Sequence, residues 1–340
     1  MLLLTIETSC DETAAAVVAD GRVIRSSVVS SQVAIHAEYG GVVPEIASRK
    51  HLEMISPVIT QALRDAAVEL SAIEGIAVTR GPGLSGALLV GLCSAKAIAF
   101  SRGIPFVGVH HIEGHLLAVL LEQQVDFPFV ALVVSGGHSH LYLVEGIGRY
   151  RTLGRTLDDA AGEAYDKSAK IMGLDYPGGA RIDAMAQEGD GKVVRLPRPL
   201  INDGSLNFSF SGLKTAMFQH LSKNPVTLPS QAANDLCASF QEAVCDVLVA
   251  KTEQALQQTG LTRLVVAGGV ACNSGLRRHM QQMAQKKGIQ LHIPSPALCG
   301  DNAAMLGVPG NYYLENGRAS QPALDVTATW ELDRVGEGCL

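Results

Sequence analysis

The sequence predicts an α/β fold built from two similar lobes. Three observations carry that prediction. Apolar strand-length runs alternate with helix-length apolar periodicities. The strand, turn, strand pattern of residues 2–24 returns at 130–153, an internal echo expected of a duplicated unit. A further apolar strand, RLVVA at 263–267, runs into Gly268-Gly269 and then a helix opening near Asn273, a geometry that lets backbone approach a nucleotide closely. With 35 glycines and 5% aromatics, the composition suits tight strand-to-helix turns better than an aromatic-rich sandwich. At 340 residues and 47% hydrophobic content the chain is long enough for two domains.

In order, LLLTIET, TAAAVVAD and RVIRSSVVS read as a meander of strands, and residues 44–70 carry apolar residues at helical spacing. IEGIAVTR is a strand feeding the turn GPGLSG and a helix over GALLVGLCSAKAIAF. That apolar run is shorter than a membrane span and carries Lys96, so it reads as a buried helix and no membrane is implied. HHIEGHLLAVLLEQ reads as a second helix; after the break at 127–129, VALVVSGGHSHLYLVEG restarts the strand pattern. The expected lobes are 1–126 and 127–305, with about 306–335 packing back on the first.

LLLTIETS at the start reads as a core strand and not as a signal or transit segment, so a cytoplasmic location is expected. Seven scattered cysteines without a C-x-x-C argue against a disulfide framework and against a cysteine zinc site. A net charge of -6 discourages a broad nucleic-acid footprint and leaves room for a local basic face. Arg277, Arg278, Lys286 and Lys287, and Arg149, Arg151 and Arg155, are the basic clusters, although most such runs are solvated faces.

HHIEGH, residues 110–115, is the densest chemistry in the chain. A zincin needs H-E-x-x-H and an inverzincin H-x-x-E-H; each template fails here by one residue. His111 and His115 remain at i, i+4 on one helical face, which lets two imidazoles reach one metal or lets both serve as hydrogen-bonded structural groups.

IETSCDET (6–13), HAEYGGVVPEIASR (36–49), VHHIEGH (109–115), VSGGH (134–138), GEAYDKSAK (162–170), YPGG (176–179), FSFSGLKT (208–215), GGVACN (268–273) and DNAAM (301–305) together resemble the TsaD/Kae1/Gcp family, in order over residues 3–315. The resemblance implies the two-lobed actin, Hsp70 and sugar-kinase fold, a duplicated RNase H-like unit with an interdomain nucleotide and metal cleft. It implies transfer of threonylcarbamoyl from threonylcarbamoyl-AMP to N6 of the adenosine just 3′ of the anticodon in ANN-decoding tRNAs, releasing AMP. It also implies TsaB-type and TsaE-type helpers and an upstream TsaC-type enzyme.

The same resemblance supplies Asp301 as a third ligand beside His111 and His115. A two-histidine, one-carboxylate set with open positions suits one Fe(2+), with Zn(2+) as a substitute; His110 is left to support or structure. Val133, Val134, Ser135, Gly136 and Gly137 form the implied nucleotide turn, and Asp166, Gly179, Asp183 and Asn273 match positions around threonyl, ribose and adenine. Gly179 also fits an ordinary YPGG turn, and Asp183 a solvated helix carboxylate. Asp11 and Glu12, in the first hairpin turn, are the candidates for handling the proton of the attacking amine, their individual roles open; a charged surface turn is the alternative. Three departures stand out: Ser139 for the family's Thr, Cys272 before Asn273, and Val133 where archaeal relatives carry a tyrosine that can bind the metal, so ligation by that route is not expected. Two other functions share the fold: a kinase or ATPase acting on a small acyl or sugar substrate, and a non-catalytic nucleotide-dependent assembly protein.

Overall fold

The first apolar run becomes β1 (Leu2–Glu7), antiparallel to β2 (Glu12–Ala19), which in turn pairs with β3 (Val23–Ser31), in a computed structural model that describes residues 1–336. β1 and β2 are buried along almost their whole length, the pattern of central strands covered on both faces. After α1 (Val33–Ala37) comes α2 (Pro44–Asp65), opened by a proline where the missing N–H has no intrahelical partner to lose. Its Ile55, Val58, Ile59 and Ala62 recur at helical spacing and join Leu4, Ile6 and Val17 in one core. Each such fully buried aliphatic side chain contributes about 1.5–3 kcal/mol.

β4 (Gly75–Gly81) lies parallel to β1, and α3 (Ser85–Arg102) returns the chain to β5 (Phe106–His110), parallel to β4. α3 is the apolar run read as a buried helix; the Lys96 ammonium donates to the Leu324 carbonyl. Among the described residues no helix is long and apolar enough to cross a membrane. β5 passes directly into α4 (His111–Leu117). The expected single helix through residue 123 is shorter than the sequence suggests, because Ala118–Leu121 tighten into a 3-10 turn, as short helix ends often do.

The pattern then repeats. β6 (Phe129–Val134), β7 (Ser139–Gly146) and β8 (Arg149–Arg155) form the second meander, followed by α5 (Ala161–Met172), α6 (Gly178–Ala186), α7 (Ser211–Lys223) and α8 (Gln231–Thr259). β9 (Arg263–Ala267) lies parallel to β6; α9 (Ser274–Lys287), β10 (Gln290–His292), α10 (Pro296–Cys299) and α11 (Gly307–Glu315) are the remaining strands and α-helices among the described residues. The sheet orders are β3-β2-β1-β4-β5 and β10-β9-β6-β7-β8, so each reads 3-2-1-4-5 when counted from its own first strand. The echoed hairpins are therefore two copies of one topology.

Two units result. Unit 1 comprises Met1–Phe127, the hairpin tip Glu145–Arg151 and the chain from Ala297 on; unit 2 comprises Pro128–Val144 and Thr152–Pro296. None of the six described cysteines is in a disulfide, and Cys339 lies outside the described residues.

Candidate functional site

In unit 1, α4 brings His111 and His115 onto one face, with imidazoles edge to face and ring centroids 4.7 Å apart. Asp301, almost two hundred positions later, joins them: its Oδ1 lies 3.1 Å from His115 Nε2 and 3.7 Å from His111 Nε2. One ligand atom from each of the three lies within 4.8 Å of the others. Behind His111, Nδ1 faces Glu7 Oε2 at 3.2 Å and Ser9 Oγ at 3.1 Å. Glu7 is itself fixed by Thr79, whose hydroxyl donates to Oε2, and by the Ser9 amide at 2.5 Å. A carboxylate that holds one imidazole nitrogen orients the other toward a metal.

The electrostatics agree. Burial pushes the His111 imidazolium down, but the carboxylates of Asp301 and Glu7 outweigh it and raise its pKa to about 9. Burial alone would raise Glu7; the facing His111 holds it below the usual carboxylate range. Two imidazoles and a carboxylate in one place, one ring already braced, fit a divalent cation of the first transition row.

His110 caps α4. A backbone carbonyl only accepts, so Nε2 donates to the Trp330 carbonyl at 3.0 Å and Nδ1 accepts the Ile112 amide at 3.1 Å. This tautomer is neutral, and burial pushes its pKa down to about 3. Glu113, on the same helix, is fully buried, and its Oε1 accepts from Tyr150 at 2.7 Å and Tyr313 at 2.6 Å. Burial raises Glu113 to about 7 against the pull of both phenols. A carboxylate occupied this way is not the exposed base of a metalloprotease.

Asp11 and Glu12 follow β1. Asp11 is 8% exposed, so the turn is not a solvated surface turn. The Ser31 hydroxyl donates to Glu12 Oε1 at 3.0 Å. Burial, then the charges of Asp301 and Asp11, raise Glu12 to about 9. His51 of α2 pins the turn from behind: Nε2 donates to the Cys10 carbonyl at 2.9 Å, leaving Nδ1 to accept the Thr13 hydroxyl at 2.8 Å.

In unit 2, a cavity of about 450 Å³ is lined by Gly136, Asp166, Gly179, Asp183, Asn273 and the rim residue Cys272, among others. Asp166 Oδ1 accepts the amides of Gly178 at 2.8 Å and Gly179 at 3.3 Å, at the start of α6. Asp183 accepts both the amide and the hydroxyl of Ser274, at 3.0 and 2.8 Å, and Asn273 Oδ1 accepts the Leu276 amide at 2.8 Å. These side chains thus hold two helix N-termini at the cavity, the positive ends of their dipoles; Asp183 is not a merely solvated carboxylate. Val133 and Val134 are buried in β6, where the ladder pairs them with His140 and Ser139. Ser135 closes the next turn, its amide donating to the His138 carbonyl at 2.8 Å. A Cβ on Gly136 or Gly137 would meet no atom within 4 Å, so this turn borders open space. Gly268 is different. Its φ is +90°, and a Cβ there would lie 2.4 Å from the Val134 carbonyl.

The structure therefore groups His111, His115 and Asp301 in unit 1 and Gly136, Asp166, Gly179, Asp183 and Asn273 in unit 2. Sequence reasoning passed over Glu7, Ser9 and Thr79, and gave Glu113 no partners. A glutamate inside an otherwise apolar strand was the available signal, since a buried carboxylate needs a partner. The basic clusters are largely committed to the protein: Arg277 donates to the carbonyls of Ala271 and Pro294 at 2.7 and 2.9 Å, and Lys287 pairs with Glu253.

Solved structures share this architecture at low identity. HypF from T. kodakarensis matches with a TM-score of 0.62 at 13% identity, over 93% of this chain and 48% of that one. The activator of 2-hydroxyisocaproyl-CoA dehydratase from Clostridium difficile matches with 0.55 at 14%, over 94% and 97%. Such likenesses show the fold alone. Sequence relatives say more. A protein of Pelobacter propionicus named tRNA N6-adenosine threonylcarbamoyltransferase is 77% identical over 338 residues, 99% of each chain. One of Trichlorobacter lovleyi with the same name is 69% identical over 335 residues, 98% of each. The model of the family described as TsaD, tRNA N6-adenosine threonylcarbamoyltransferase, matches residues 23–308, and this chain belongs to that family.

Proposed function

We propose that this chain transfers a threonylcarbamoyl group from threonylcarbamoyl-AMP to N6 of the adenosine just 3′ of the anticodon in tRNAs reading ANN codons, forming N6-threonylcarbamoyladenosine and AMP. The observation that carries this reading is the near full-length likeness to transferases of that name. In the reaction, N6 attacks the carbamoyl carbonyl, the bond from that carbon to the phosphate oxygen breaks, and N6 gives up a proton.

Unit 2 supplies the nucleotide site. The cavity beside the α6 and α9 N-termini, which Asp166, Asp183 and Asn273 hold in place, takes the AMP portion, and the lack of bulk at Ser135, Gly136 and Gly137 lets the turn approach its phosphate. In unit 1, His111, His115 and Asp301 would hold one cation, Fe(2+) in our reading with Zn(2+) as a substitute. Bound there, it supplies Lewis-acid polarisation of the carbonyl under attack. Glu7 and Ser9 orient the His111 ring for that task. Glu12, in the half-buried turn after β1, takes the N6 proton, and Asp11 orients the amine.

The donor comes from a TsaC-type enzyme, and TsaB-type and TsaE-type proteins assist in the cytoplasm. The deciding experiment is reconstitution with threonine, bicarbonate, ATP, a TsaC-type enzyme, the two helpers and an unmodified tRNA transcript, followed by nucleoside analysis. Consumption of donor without any modified adenosine refutes the reading.

A further inference from the structure

A second concavity of unit 2, about 510 Å³, runs between α5 and α7 and is lined by Lys167, Lys170, Ile171, Lys214, Thr215 and Phe218. Its floor is apolar and its rim cationic, with no carboxylate among the lining residues. Phe218 is 59% exposed, so one face of its ring is open to a ligand in the groove. Lys167 is bound to Asp159 and Glu163, each at 2.8 Å. The nearby acid Asp158 is consumed at the start of α7 by the Ser209 and Ser211 hydroxyls and the Phe210 and Ser211 amides. Lys170 and Lys214 have no acidic partner among the described residues.

An exposed aromatic ring flanked by unpaired ammonium groups is the composition of a stacking platform for single-stranded nucleic acid. A base has a π-face for Phe218, and adjoining phosphates match the two lysines. The position fits as well. Gly162, Tyr165 and Asp166 on one face of α5 line the nucleotide cavity, whereas Lys167, Lys170 and Ile171 on the next face line this groove. One helix separates them, a span of about 10 Å.

We propose that the α5–α7 groove is a docking surface for an unstacked, single-stranded stretch of the tRNA substrate, with one base on Phe218 and backbone phosphates on Lys170 and Lys214. The inference rests on the transferase reading for the identity of the RNA. It also locates the basic face in helices that the charge runs of the sequence did not mark.

The test measures binding of a fluorescent unmodified tRNA transcript to the full chain across a salt series, alongside modification of the same transcript by the wild-type protein with its helpers. Lys170→Glu with Lys214→Glu should raise Kd at least tenfold, and the milder Lys170→Gln with Lys214→Gln should lower the slope of log affinity against log salt by about 1.4, at roughly 0.7 per phosphate contact on a single strand. Phe218→Ser should weaken binding about tenfold with the slope kept, and Phe218→Tyr should restore it. Unchanged affinity and slope in all variants, with wild-type protein still modifying the transcript, overturn the groove and leave the transferase intact. Loss of helper binding with RNA affinity unchanged makes the groove a protein dock and also overturns the proposal. A wild-type protein that binds RNA in this groove but modifies none supports the groove and removes the transferase reading.

Discussion

Glu113 should be the most expensive residue of α4 to truncate. It is fully buried, it stands between the two candidate metal ligands, and one of its oxygens accepts from two tyrosines that reach it from the 145–151 hairpin tip and from α11. Glu113→Ala deletes the acceptor and leaves two phenolic O–H donors without a partner in the core, although the Tyr150 oxygen still accepts the Gly148 amide. Each such group costs about 1–3 kcal/mol, and the lost methylenes add a cavity, so the sum should be about 3–7 kcal/mol. Tyr150→Phe or Tyr313→Phe removes one donor to a carboxylate and should cost about 1.5–3 kcal/mol. Replacing all three, with Glu113→Leu, Tyr150→Phe and Tyr313→Phe, removes the carboxylate and both phenols at once, leaves the Gly148 amide that Tyr150 accepts at 3.2 Å as the one group of the cluster without its partner, and should cost less than the singles added together.

The assay is built into the chain. Trp330 is the one tryptophan, and its ring lies 4.7 Å from that of His110, at the start of α4. Urea unfolding followed by its fluorescence therefore reports on unit 1. Glu113→Ala within about 0.5 kcal/mol of wild type, or a triple variant worse than the sum of its parts, would refute the view that the tyrosine pair stabilises α4 through this carboxylate.

Other outcomes follow from the same geometry. His111→Ala and His115→Ala should each abolish stoichiometric metal, because one of three protein ligands is lost; elemental analysis finding one metal per chain in either variant contradicts the ligand set. Glu12→Gln should slow single-turnover transfer by about 10² to 10⁴ with metal content unchanged, and a change below about twofold would remove Glu12 as the base. His51 is buried with its pKa below 6.5, chiefly through desolvation, so folding stability gains from it above that value and loses it as pH falls through the depressed folded pKa. His51→Gln should flatten that acid limb; identical pH profiles of unfolding would exclude the effect. Gly268→Ala should destabilise unit 2 by about 1–3 kcal/mol or more, read by circular dichroism on urea titration, since it pairs a strained φ with a backbone clash. A stability equal to wild type would show that the turn can relax.

The sequence by itself determined the α/β class and the duplication, because period-2 and period-3.6 apolar patterns are local and both meanders carry them. It also determined the pairing of His111 with His115, since i, i+4 on a helix is a local distance. Asp301 entered only through family resemblance. Its 3.1 Å approach to His115 is set by how the chain from Ala297 packs into unit 1, a contact across 186 positions that no local pattern encodes. Tertiary structure likewise decided the roles of charged side chains. Glu7 became the brace of His111, His110 became a cap, Glu113 turned to two tyrosines, and Asp183 was spent on the start of α9. A carboxylate's function depends on which donors surround it within about 3 Å, and those donors arrive from distant parts of the chain.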